Sequence, residues 1–296
     1  MPNEVSPTLL RRQLGRFLRE CREAKGFTIL QAATAVQLSE AALQRLETGR
    51  TKNTRRQDVR ELCLLYEVAA EETEKAVDLA GRAAVKSDDG ITSIGGLFSD
   101  AFNMYVGMEQ SAAKVVSYQE QIPGLLQTAD YARGLINAFY RTGSAEDIER
   151  RVQIRLNRQV IVTRKSAPLE LEVLLHESAL HRVIGGPQVM ARQLRELAEM
   201  SKQPNITLRV HPFSAGCTWG ILHGPFVMLD FGTDGKGKPI EPPVVYVEGR
   251  LTSDLYLEKP EDVQRYHELA EAVRRTALDD MQTRKLLRDV AREYAA

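Results

Sequence analysis

Cysteine, tryptophan and long apolar runs are all scarce in this sequence, and each scarcity closes off a class of protein. The 296 residues hold three cysteines, Cys21, Cys63 and Cys217. They are odd in number, far apart, and form no Cys-x-x-Cys pair, so neither a disulfide framework nor a zinc-binding cysteine set is encoded. Cys21 and Cys63 fall on predicted helix faces and are expected to be small buried apolar residues with reduced thiols. No stretch is long and apolar enough to span a bilayer, and the opening residues MPNEVSPTLL lack the apolar run of a signal peptide. The expectation is a soluble, cytoplasmic protein without membrane contact. An excess of one charge is missing as well, since 40 Lys and Arg balance 40 Asp and Glu.

That balance is uneven along the chain. Between Leu9 and Arg60 stand twelve Lys and Arg against five Asp and Glu, so the remainder is acidic. The basic stretch surrounds FTILQAATAVQLSEAALQRLETGR, Phe27 to Arg50, which reads as two short helices joined by a tight turn. Thr28 followed by Gln31 is a capping box that opens the first helix. Ala32, Ala33 and Val36 recur at helical spacing, with small residues where a second helix must come close. Gln37-Leu38 interrupts the period, Ser39 is an N-cap, Leu43 and Leu46 face back, and Gly49 stops the second helix. Glu40, Ala41, Gln44 and Arg45 are left facing outward. This pattern is a helix-turn-helix with Ser39–Thr48 as its recognition helix, and double-stranded DNA is the partner it fits.

The outward four are the candidates for base-edge contact. Arg50, Lys52, Asn53, Arg55 and Arg56 in the basic loop that follows are the phosphate candidates, together with Thr28 and Ser39 at the helix starts. Leu9–Lys25 precedes the motif as an amphipathic helix, with Leu10, Leu14, Phe17, Leu18 and Cys21 inward. Arg11, Arg12, Arg16, Arg19 and Arg22 are expected to cover its outer face. Val59, Leu62, Cys63, Leu65, Tyr66 and Val68 pack a fourth helix, and Glu71–Arg82 forms a fifth.

Leu14-Gly15-Arg16, Leu18-Arg19, Gly26-Phe27-Thr28, Ala33, Ser39, Arg45-Leu46-Glu47 and Gly49-Arg50 together make Arg12–Arg60 resemble the XRE (Cro/repressor-like) DNA-binding family. The resemblance implies a five-helix, lambda-repressor-like domain and a regulator that pairs as a homodimer on DNA. Two positions depart from the family pattern, Ile29 in place of Gln and Gln37 in place of Gly. Gln37 is therefore expected to hold a left-handed backbone.

Residues 83–96 mark the sharpest shift in composition, with Ser, Asp and Gly90, Gly95 and Gly96 replacing apolar periodicity. The organisation expected is a DNA-binding domain over 1–82, a linker over 83–96 and a second domain over 97–296. Leu97–Val116 reads as a helix with Phe98, Phe102, Tyr105 and Met108 along one stripe, a core or interface face. An extended approach through Val115–Gln121 leads into Ile122-Pro123-Gly124, where a helix is expected to start. Ser144-x-x-Asp147 caps a long helix to about Thr163, with Arg155, Arg158 and Gln159 on one face. These side chains either hold an anionic ligand or pair internally with Glu177 or Glu248. From Leu169 the pattern alternates. Strands are expected at Leu169–Leu175, Ile206–His211, Phe226–Phe231, Val244–Val247 and Asp254–Leu257, with helices at Pro187–Lys202, Pro260–Thr276 and Met281–Tyr294. The helix before Ile206 suggests a parallel crossover. The loop FSAGCTWGILHG carries Trp219 and suits a pocket rim. The class is α+β: an all-α domain, then an α/β effector domain with a small mixed sheet and flanking helices.

Ile122-Pro123-Gly124-Leu125-Leu126-Gln127-Thr128 with Tyr131-Ala132-Arg133, then His176-Glu177-Ser178-Ala179-Leu180, Val210-His211-Pro212-Phe213 and Val245-Tyr246-Val247-Glu248, resemble the WhiJ-like effector domain of actinobacterial regulators. That resemblance implies an effector function, served by an unidentified small molecule or by a small acidic partner protein acting as an antitoxin-style antagonist. One catalytic pattern is present in part. His223 and Asp230 have the spacing of the phospholipase D-type His-x-Lys-x4-Asp motif, but Pro225 stands where the lysine belongs and no second copy occurs. Phosphate binding and leaving-group protonation both go unprovided. No Gly-rich phosphate loop, His-Glu-x-x-His or nucleophile elbow is found either. The expectation is a protein that is not an enzyme and uses no cofactor or metal.

Overall fold

Capping residues fix where the helices of the amino-terminal unit begin. The computed structural model describes residues 7–51, 54–84, 100–140, 143–233, 237, 239–249 and 254–296. The chain divides into two compact units, Met1–Met108 and Glu109–Ala296. Most of the expected linker, with Gly90, Gly95 and Gly96, lies outside the described residues, as does Phe98.

The first unit holds α1 (Pro7–Ala24), α2 (Ile29–Ala35), α3 (Glu40–Glu47), α4 (Arg56–Leu65) and α5 (Ala70–Ala84). The Thr28 hydroxyl accepts from the Gln31 amide, and Gln31 returns the bond to the Thr28 amide, completing the capping box of α2. Ser39 caps α3 by accepting from Ala42 N–H. Between them Gln37 sits at φ 56°, the left-handed turn that its position demands. Beyond α3 the Arg50 amide donates to Arg45 O and the Gly49 amide to Leu46 O, a Schellman ending with Gly49 at φ 68°. Leu14, Leu18, Ala32, Ala33, Leu43, Leu46, Val59, Leu62 and Cys63 form one core under these helices, with α5 adding Ala76, Val77 and Ala80.

The α1–α3 crossing is the tightest approach in this unit. A Cβ on Gly15 would lie 2.5 Å from Glu47 O, and one on Gly49 would lie 2.8 Å from the Arg12 Cα. Beside this contact the Arg22 guanidinium donates to both carboxylate oxygens of Glu47, at 2.7 and 2.9 Å, and to Phe27 O at 2.8 Å. Both side chains are buried. The hydrogen bond to Glu47 is the main reason the Arg22 pKa is raised, ahead of the opposing cost of burial. The expectation that the α1 arginines cover an outer face needs correction here. Arg12, Arg16 and Arg22 are buried, because this long helix is wrapped on several sides and guanidinium stems pack well against apolar neighbours.

The second unit opens in α6 (Asp100–Ser111), which spans the boundary, and continues through β1 (Lys114–Gln119) and a 3-10 turn at Gly124–Leu126. Then follow α7 (Ala129–Phe139), α8 (Ala145–Arg158), α9 (Val160–Thr163), β2 (Glu170–His176), α10 (Ser178–His181), α11 (Pro187–Met200) and β3 (Ile206–His211). The chain ends with β4 (Phe226–Asp230), β5 (Val244–Val247), β6 (Leu255–Leu257), α12 (Pro260–Thr276) and α13 (Asp280–Glu293). The sheet order is β3-β2-β1-β4-β5-β6. The β1–β2 and β2–β3 pairs are parallel, and those of β4 with β1, β5 with β4 and β6 with β5 are antiparallel. This is the mixed sheet with a β2–α11–β3 crossover, and the class is α+β. Val116, Tyr118, Leu174, Phe226, Met228 and Val245 line one sheet face and pack with Val263, Leu269, Ala270 and Val273 of α12. Among the described residues no helix is long and apolar enough to cross a membrane.

Three expectations are corrected. The helix placed over Leu97–Val116 stops at Ser111, and Val115 and Val116 belong to β1 at the centre of the sheet. The 122–124 segment gives only a 3-10 turn, and the true helix begins after Thr128, whose hydroxyl accepts from Tyr131 N–H. The long arginine-rich helix breaks at Gln159 into α8 and α9.

Replacing Glu47 by alanine strips a buried guanidinium of its carboxylate partner. Chemical denaturation of the full chain is expected to show a loss of about 3–5 kcal/mol in the transition of the amino-terminal unit. A loss within experimental error would mean that the pair does not hold α3 in place.

Candidate functional site

Helix α3 presents its polar row because its apolar row is already spent. Leu43 and Leu46 are buried against the core, which leaves Glu40, Ala41, Gln44 and Arg45 exposed on the opposite side. A groove runs between this row and the segment leading to α4. Leu38, Ala42 and Leu46 form its apolar lining, and Arg45, Arg50 and Arg55 approach it with Thr51, Thr54 and Asp58. One predicted base-contacting residue and two predicted phosphate-contacting residues are therefore brought to a single concave surface. Arg50 and Arg55 are exposed. Arg56 is exposed as well, but its guanidinium lies over Gly81 of α5, where a Cβ would come within 2.0 Å of Nη2. Its position is thus set by the domain interior edge rather than by the groove. Lys52 and Asn53 lie outside the described residues. Thr28 and Ser39 are engaged as caps, with their hydroxyl hydrogens still able to donate.

The side chains of the second predicted group are engaged with the protein itself. Arg158 holds Glu109 of α6 at 2.6 and 3.1 Å, both side chains being buried. Glu109 is a carboxylate that sequence reading did not pick out as a partner of Arg158. Arg155 donates to Gln127 Oε1 at 2.9 Å. Burial and then the Arg158 charge lower its pKa, outweighing the pull of nearby Glu248. Gln159 donates to Gly124 O at 3.0 Å and Gln127 O at 2.7 Å. Gln127 in turn donates to Ile122 O at 2.7 Å, and Gln193 of α11 donates to Leu126 O at 2.8 Å while accepting from Thr128 N–H at 2.7 Å. These bonds satisfy the backbone of the Ile122–Thr128 turn, so Arg155, Arg158 and Gln159 form a structural clasp. Glu177 is occupied elsewhere, accepting from Phe213 N–H at 2.6 Å. Trp219 stands on its loop at 39% exposure.

The Cys21 and Cys63 thiols are chemically quiet. Burial pushes the Cys63 pKa up to about 11 and raises that of Cys21, so neither is a ready thiolate.

The geometry of the first unit defines a helix-turn-helix domain, and residues 13–76 match a family model described as a helix-turn-helix domain. That match supports an XRE-like reader and marks the chain as a DNA-binding regulator. Residues 102–289 match the model of DUF5753, a domain of unknown function. That stretch is well over half of the chain, which therefore belongs to the DUF5753 family. No curated protein and no solved structure matches the chain.

The two kinds of groove contact are separable by mutation. Arg45→Ala is expected to cost about 1–3 kcal/mol on a specific site and little on random DNA. Arg55→Ala is expected to weaken both alike and to reduce the salt slope of log K by about one unit. Equal losses of specificity in the two variants, read by fluorescence anisotropy across a salt series, would contradict this division.

Proposed function

We propose that the chain is a sequence-specific, XRE-type transcriptional regulator that works as a homodimer, with its carboxy-terminal domain as the effector module of a WhiJ-like regulator. The observation that carries the reading is the exposed row Glu40, Ala41, Gln44 and Arg45 on α3, opening onto the groove shared by Arg50 and Arg55. A row of mixed donors and acceptors on one helix suits base edges in a major groove, and flanking arginines suit the phosphates on either side. One such helix covers a half-site, so affinity and specificity require a second copy.

The effector module is read as a small-molecule sensor. A second reading, docking of a small partner protein in the manner of an antitoxin pair, is favoured by one specific feature. Ile221 and Leu222 stand 63% and 94% exposed on the loop before β4, beside Phe213 at 56%. Neither reading includes catalysis. His223 precedes β4 and Asp230 is its last residue, so the strand separates them, and the Asp230 carboxylate accepts from Gly232 N–H at 2.7 Å. The protein so described acts in the cytoplasm, on DNA, with no cofactor.

Dimerisation is assigned to the effector module, since the reader's apolar residues are largely consumed by its own core. Residues 1–82 alone are expected to be monomeric by light scattering and to bind a selected site weakly, while the full chain binds it as a dimer. A dimeric fragment with full affinity would overturn the assignment.

A further inference from the structure

A carboxylate stands at the tip of the recognition helix, where phosphate attraction alone would favour a neutral or basic residue. The helix-turn-helix from Phe27 to Arg50 holds two carboxylates, Glu40 and Glu47. Glu47 is buried against Arg22, whereas Glu40 is exposed as the first residue of α3. The positions that could pair with it along the helix, three and four residues on, are Leu43, which is buried, and Gln44. Among the described residues Glu40 makes no ion pair. Capping does not occupy it either, because Ser39 accepts from Ala42 N–H.

An unpaired carboxylate in this place is opposed by almost every group on DNA. The phosphates repel it. In the major groove guanine presents N7 and O6 and thymine presents O4, all acceptors, so only the amino groups of cytosine and adenine can donate to it. Adenine sets the N7 lone pair beside its amino group, which opposes an approaching carboxylate oxygen. Cytosine sets only the apolar C5 edge there and opposes nothing.

We propose that Glu40 is a specificity-determining residue that accepts from the N4 amino group of a cytosine, so that each half-site carries a C·G pair facing the start of α3. The inference rests on the regulator reading of α3 given above and adds to it the base and the sign of the contact. The first turn is the right place, since the N-terminal residues of a docked recognition helix reach base edges. The next residue, Ala41, is exposed and apolar, and brings no polar group to compete for the same base. Glu40 acts by exclusion as well as attraction. At any other base pair its charge loses water and meets acceptors instead of a donor. Arg45, Arg50 and Arg55 around the groove draw DNA in regardless of sequence, and Glu40 restrains that pull on wrong sites. An acid in the first turn also favours the helix dipole, but that role carries no base preference.

The test takes the full chain through selection from a random duplex pool, with Glu40→Gln and Glu40→Ala beside the wild type. Fluorescence anisotropy follows, on duplexes carrying each of the four bases at each selected position. The wild type is expected to select cytosine at one position of the half-site and to lose about tenfold or more in affinity when it is replaced. Glu40→Gln should move the preference at that position alone to adenine, whose N6 and N7 match the glutamine amide. Glu40→Ala should abolish the preference there, keep those elsewhere, and bind random DNA more tightly than the wild type does. Circular dichroism checks that both variants stay folded, as expected for an exposed side chain. A selected site read identically by variants and wild type, or a uniform loss over all positions, would overturn the role of Glu40 and leave the regulator reading intact. A wild-type chain that selects no sequence would overturn both.

Discussion

The grip of Arg22 on Glu47 is the interaction on which the DNA-reading surface depends. Glu47 is the last residue of the recognition helix and Arg22 belongs to the last turn of α1, so the pair sets how far and at what angle α3 projects. Gly15 and Gly49 let the backbones come close enough for that bond to form. With the crossing fixed, Leu43 and Leu46 can point only inward and the row from Glu40 to Arg45 only outward. A buried ion pair contributes little net stability compared with an apolar pair of the same shape. Its value here is geometric, because it forbids the rotations of α3 that an all-apolar contact would tolerate.

A similar logic operates in the second unit, with amides doing much of the work. The Ile122–Thr128 turn leaves the central strand and would bury several unpaired carbonyls on its way to α7. Gln127, Gln159 and Gln193 bind those carbonyls, and Arg155 holds Gln127. Arg155 and Arg158 of α8 thus bind within the unit.

Much of the fold was legible because capping and turn residues act locally. Thr28, Gln31, Ser39, Gln37 and Gly49 each specify backbone geometry within a few residues, and each does so as the sequence suggested. The alternating strands and the parallel crossover could be read for the same reason. Strand β1 was legible only as an extended approach from Val115, with Val115 and Val116 also given to the preceding helix. Val115, Val116, Ser117 and Tyr118 are buried on both faces, so the two-residue alternation that betrays a half-exposed strand is missing. Pairings between distant residues were likewise hidden. Nothing local tells that Arg158 meets Glu109, or that Arg12, Arg16 and Arg22 turn inward on a face of α1 expected to meet solvent.

The central claim is that this chain reads double-stranded DNA through α3 as a symmetric pair. Selection from a random-sequence duplex pool with the full-length protein tests it most directly. The account predicts enrichment of an inverted repeat whose half-sites are centred about 34 Å apart, one turn of the double helix. A pool that remains unenriched after repeated rounds, or one that yields a lone unrepeated motif, would contradict it.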